Sequence, residues 1–80
     1  MFLKGKNKQE LEQERLQQLA EEIRNKRNQL LAESDWTQLP DAPVKDKEAW
    51  QEYRQALRDI TKQPGFPENI EFPEEPDRKV

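Results

Sequence analysis

Few groups in this 80-residue chain could carry covalent or acid–base chemistry. It has no histidine and no cysteine, so the usual neutral-pH proton shuttle and the nitrogen and sulfur ligands of a zinc site are missing. The single serine, Ser34, has no histidine to activate it. Two carboxylate pairs stand in the sequence, Glu21/Glu22 and Glu74/Glu75. Neighbours on a helix point in different directions, so Glu21 and Glu22 do not converge. Glu74 and Glu75 fall in a solvated segment, where burial cannot divide acid and base roles between them. Only Gly5 and Gly65 are available, which rules out a glycine-rich phosphate loop. The acidic residues match no calcium-loop spacing. We therefore expect no catalytic, cofactor-binding or metal-ligating residues, no cofactor and no enzyme activity.

What remains is side chains that bind. Trp36, Leu39, Trp50, Tyr53, Leu57, Ile60, Phe66, Ile70 and Phe72 concentrate the large apolar groups in a chain that is only 31% apolar and 39% charged. A domain this small buries a modest share of its surface. Ordering each residue costs roughly 1–2 kcal/mol of backbone entropy. No disulfide can supply the difference. These nine residues are the expected partner-binding set, and each of them is also a candidate for internal core.

The elements that must position them follow from composition and punctuation. Residues 1–6 read as a flexible leader. Asn7, with Glu10 three positions on, forms a capping box, and no glycine or proline interrupts Lys8 to Glu33. The chain predicts one helix over 8–33, with Glu22 and Lys26 spaced for an i,i+4 pair. Its stripe of Leu16, Leu19, Ile23 and Leu30 follows the 3-4-7 spacing of a coiled-coil seam, with Lys26 at the missing position. That stripe either packs on its own domain or serves another chain, a second copy included, because the next helix is too short to cover it. Residues 34–45 read as a loop, since Pro40 and Pro43 each disfavour helix before them. Trp36 and Leu39 should fold back from it between the helices. A second helix is expected over 46–62, capped by Asp46, with Ala49, Trp50, Tyr53, Ala56, Leu57 and Ile60 on one face. Gln63-Pro64-Gly65 ends it. Residues 64–77 hold four of six prolines and repeat Phe-Pro-Glu at Phe66 and Phe72. They read as an extended segment in which Ile70 and Phe72 alternate as in a short strand. Residues 74–80 should fray. The fold class is thus all-α, a long helix and a shorter amphipathic one followed by an extended Pro-rich end.

Residues 1–33 carry a net +1 and residues 34–80 a net −4. Nucleic-acid binding needs a positive field, and only Lys4, Lys6 and Lys8 cluster, so no nucleic-acid partner is expected. No apolar run approaches the roughly 20 residues of a membrane span, and residues 1–6 hold no apolar h-region of a secretory signal. No membrane association is expected.

The stretch from 27 to 73 resembles the phage tail-assembly chaperone family. The likeness rests on Asp35-Trp36-Thr37, Leu39-Pro40-Asp41-Ala42-Pro43, Trp50 to Tyr53-Arg54, Leu57-Arg58-Asp59-Ile60 and Pro64-Gly65-Phe66-Pro67. It departs where Phe72 and Glu71 stand in place of the family's frequent Trp and preceding apolar residue. The resemblance divides the chain into an N-terminal extension (1–26), a chaperone-like domain (27–73) and an acidic end (74–80). It implies a helper that binds tail-fibre polypeptide in the cytoplasm of the bacterial host and assists its folding or trimerisation. The rivals are a structural tail component kept in the virion through a helical coiled coil, and a small inhibitor of a host protein.

Overall fold

The computed structural model describes residues 5–76; the first four residues of the expected leader, Lys4 among them, and the last four of the expected frayed end lie outside the described residues. The first helix, α1, spans Lys8–Glu33 and starts on the capping box: the Glu10 amide donates to Asn7 Oδ1 at 2.8 Å and the Asn7 amide donates to Glu10 Oε1 at 3.0 Å. At 1.5 Å per residue it is about 39 Å long. It stops at Ser34, whose hydroxyl turns back to the Leu30 and Leu31 carbonyls at 2.9 and 3.2 Å and so offers the backbone an alternative to another helical turn.

The expected loop contains a short 3-10 helix, Asp35–Gln38, held by the Thr37 hydroxyl donating to the Ser34 carbonyl at 2.6 Å. Farther along, Lys47 Nζ donates to the Leu39 and Pro40 carbonyls, tying the proline stretch to the start of the second helix. That helix, α2, spans Lys47–Arg58, with Asp46 Oδ1 accepting from the Ala49 amide at 3.0 Å. It is shorter than the 46–62 read from the sequence. The chain tightens into a 3-10 turn at Ile60–Lys62 before Pro64, so Ile60 is still turned inward and fully buried.

After Lys62 the chain makes a compact turn in which the Asn69 amide donates to the Gly65 carbonyl at 2.8 Å. A Cβ on residue 65 would lie 2.2 Å from the Asn69 carbonyl oxygen, so only glycine fits this close approach. The Phe66-Pro67 peptide bond is cis. Residues 70–76 form no helix, and among the described residues they pair with no strand. Instead the Gln63 side chain takes the place of one: its Nε2–H donates to the Glu71 carbonyl at 2.8 Å and its Oε1 accepts from the Glu71 amide at 2.9 Å.

The core is small and sits where α2 crosses the C-terminal half of α1. Trp50, Tyr53 and Leu57 are buried, and Leu30, Leu31, Val44 and Phe72 pack around them. Burying such a side chain fully is worth about 1.5–3 kcal/mol. The N-terminal turns of α1 reach past this core: residues 8–15 are all exposed, and Leu11 keeps 54% of its surface. The molecule is accordingly long, 64 × 26 × 16 Å, with a radius of gyration of 17.8 Å. A compact chain of this length would have about 12 Å.

Candidate functional site

Tyr53 and Leu57 lie one and two turns after Trp50, all on the face that α2 turns to α1. The Trp36 ring, carried by the 3-10 helix, lies 6.1 Å from the Trp50 ring at 55°, and the Tyr53 ring meets Trp50 edge-on at 5.6 Å and 88°. Such tilted and edge-to-face pairs are each worth about 0.5–1.5 kcal/mol beyond their burial. Trp50, Tyr53, Leu57 and Ile60 are internal, while Trp36, Phe66, Ile70 and Phe72 are half-buried. Leu39 departs from the sequence reading. It does not fold back between the helices but stands 55% exposed, because the 3-10 helix ends at Gln38 and the chain leaves it extended toward Pro40.

The α1 stripe of Leu16, Leu19, Ile23 and Leu30 is half-buried along its length. Part of its covering comes from α2, and part from the C-terminal segment, which lies along α1. The Phe72 ring lies under Lys26 Nζ at 4.7 Å, the Phe66 ring under Arg24 Cζ at 5.7 Å, and Glu68 accepts from Arg15 Nη2 at 2.7 Å. Lys26, spaced for a pair with Glu22, thus turns to an aromatic face. The Arg15 guanidinium also holds the Glu12 carboxyl below its ordinary range through a hydrogen bond of 2.5 Å, and Glu12 and Glu68 together push Arg15 up. Lys6, just ahead of α1, pairs with Glu14.

A group the residue-by-residue reading did not single out joins the two helices. Arg54 is 8% exposed although it is charged. Its Nη1 donates to the Leu31 carbonyl and to Ser34 Oγ, both at 2.7 Å, and its Nη2 donates to Asp35 Oδ1 at 2.7 Å. The last turn of α1 has no basic residue of its own. Arg54 supplies from α2 the cation that the negative end of the α1 dipole and its unpaired carbonyls favour. The signal was present: Arg54 lies four residues after Trp50 and three before Leu57, inside the apolar sector of α2, and belongs to the Tyr53-Arg54 motif. Ser34 and Thr37, both fully buried, complete this junction.

Among the described residues no three or more Asp or Glu side chains converge as a metal site, and no helix is long and apolar enough to cross a membrane. The Asp59 carboxyl, too, is held below its ordinary range, first by a hydrogen bond from Gln55 and then by Lys62 and Arg58, all on the surface. What the arrangement offers is a fixed aromatic centre with a half-open apolar margin.

A sequence model of the phage tail assembly chaperone proteins matches residues 20–77, which takes in the core half of α1, α2 and nearly all of the C-terminal segment. No curated protein and no solved structure matches the chain. The match spans more than half of the chain and every residue of the Trp36–Trp50–Tyr53 cluster and the Arg54 junction, and the chain belongs to the phage tail assembly chaperone family.

Proposed function

We propose that this chain is a non-enzymatic chaperone for a tail-fibre polypeptide, binding it in the host cytoplasm until the fibre has folded or trimerised. One observation carries the reading. Trp36 and Phe72 pack against the Trp50 cluster while only partly buried, and Phe66 and Ile70, also partly buried, and Leu39, 55% exposed, add large apolar surface still in reach of solvent. A fibre subunit exposes strand edges and apolar patches until its partners arrive, and these aggregate in the meantime. Covering them with a small apolar margin keeps the subunit soluble. Trimer contacts then displace the chaperone because they bind the mature state better.

Co-expression of the fibre polypeptide with and without this chain tests the proposal. Soluble trimer yield should rise several-fold with the chain present. Trp36→Ala combined with Leu39→Asp, which spares the buried core, should remove that gain. Unchanged yield in both comparisons would sink the reading. A second reading has its own observation, the exposed N-terminal turns of α1. If those turns self-associate and anchor the chain as a virion component, it will be recovered from purified particles in stoichiometric amount, whereas a chaperone will be scarce there.

A further inference from the structure

On the side of the C-terminal segment that faces α2 lies an open groove of about 660 Å³, lined by Ala56, Gln63, Glu71, Phe72, Pro73 and Glu74. Its size is within the roughly 300–1,000 Å³ of ligand-binding clefts. Its composition is selective. Ala56, Phe72 and Pro73 provide apolar surface; Glu71 and Glu74 provide two carboxylates, neither paired with a cation among the described residues. The groove is also held open. The Gln63 side chain grips the main chain of Glu71 through two hydrogen bonds, which leaves the Glu71 carboxylate free of structural duty.

We propose that this groove docks a lysine- or arginine-bearing segment of the tail polypeptide, its basic side chain lying along Phe72 and Pro73 and its charged head between Glu71 and Glu74. The inference deepens the proposed chaperone function and rests on it. Three features choose a basic occupant. Long basic side chains bury their methylenes on apolar surface while their heads stay at charged, wet positions, which is the pairing of surfaces found here. Phe72 already attracts one cation, Lys26 at 4.7 Å, and Phe66 attracts Arg24, so the rings of this segment sit where cations are favoured. The half of the chain that contains the groove carries a net −4, which repels an acidic segment and steers a basic one toward it.

The test uses the full chain and the tail polypeptides of the same phage, with affinity measured by titration at 50 and 300 mM NaCl. The variant Glu71→Gln/Glu74→Gln keeps the Gln63 grip, which uses only main-chain atoms of residue 71. It should bind roughly tenfold more weakly at low salt, as expected for losing two partly desolvated ion pairs, and the gap should narrow at high salt. Glu21→Gln/Glu22→Gln, the same charge change on the exposed surface of α1, should bind as the parent does. A Lys or Arg to Glu change in the bound segment should be rescued by Glu71→Lys/Glu74→Lys. If the parent chain binds a tail polypeptide and the groove variant binds equally well, or if both glutamine pairs weaken binding alike, the groove assignment is overturned while the chaperone reading stands. If the parent binds no tail polypeptide, both fall together. Circular dichroism separates a folding defect in the variant from a docking defect.

Discussion

Removing the Arg54 guanidinium should loosen the junction of the two helices more than any other change to a charged residue. Arg54 makes three hydrogen bonds at 2.7 Å, and they are unequal. The bond to Asp35 reaches a carboxylate whose side chain is 69% exposed, so it belongs with surface ion pairs worth about 0.2–1 kcal/mol. The two from Nη1 are buried or partly buried and charge-assisted, and bonds to charged groups are worth about 1.5–3 kcal/mol. Their loss is softened because the Leu31 carbonyl still accepts from the Ser34 amide and hydroxyl, each at 3.2 Å, so it is not orphaned. Losing the cation at the α1 C-terminus adds about 0.3–1 kcal/mol. Together Arg54→Ala should cost about 2–4 kcal/mol. Total stability at about 0.05–0.15 kcal/mol per residue is only about 4–12 kcal/mol for 80 residues. The loss is therefore a large share of the whole.

Urea denaturation followed by tryptophan fluorescence measures it, since Trp50 is buried in the core and the Trp36 ring packs beside it. Asp35→Asn should cost less than about 1 kcal/mol. Arg54→Met should lie between the two, because it keeps the aliphatic packing and drops the charge that would otherwise need partners. Amide exchange should accelerate most in the last turn of α1. An Arg54→Ala cost under about 0.5 kcal/mol, or one no larger than that of Asp35→Asn, would refute the idea that this side chain joins the helices.

Trp50→Ala empties the centre of the core and should cost about 3–5 kcal/mol, enough to leave the chain largely unfolded by circular dichroism at 37 °C; a folded variant with a near-parental melting curve would contradict the burial described. Gly65→Ala places a methyl 2.2 Å from the Asn69 carbonyl oxygen, so the 65–69 turn must open; exchange of the Asn69 amide should rise, and unchanged protection would argue against the close approach. The Glu12 and Asp59 carboxyls are held low in the folded chain, so the stability they add is present above their ordinary range and lost as pH falls through about 4 and below. The melting temperature should therefore drop on acidification through that window, less so in 0.5 M NaCl because both groups are exposed; a rise would reverse the assigned sign.

The start of each helix was legible because it depends on local chemistry. Asn7 with Glu10, and Asp46 before Ala49, set those starts within four residues of sequence. The end of α2 was less so. Pro64 marks where a helix must have stopped, and the chain gave up α-helical geometry at Arg58, with a 3-10 turn filling the interval. Leu39 was misplaced because hydrophobicity says that a residue gains from burial and does not say that its backbone is aimed inward. Arg54 was passed over because a periodicity argument counts charge as outward, whereas the helix terminus beside it needed a cation.

The α1 stripe carries the deepest ambiguity, and it is physical. Spacing of Leu16, Leu19, Ile23 and Leu30 reveals an apolar face but not what covers it. In the folded chain α2 and the C-terminal segment share that task, yet the segment's charged ties to α1 are of the weak kind. An exposed Arg15–Glu68 ion pair is worth about 0.2–1 kcal/mol and each surface cation–π contact about 0.5–1 kcal/mol. Three such contacts sum to about 1–3 kcal/mol, and the rest of the segment's hold comes from the partial burial of Phe66, Ile70 and Phe72, which falls short of the about 1.5–3 kcal/mol apiece that full burial returns. Only a partner that covers those three side chains more fully than the chain itself does would compete for the segment.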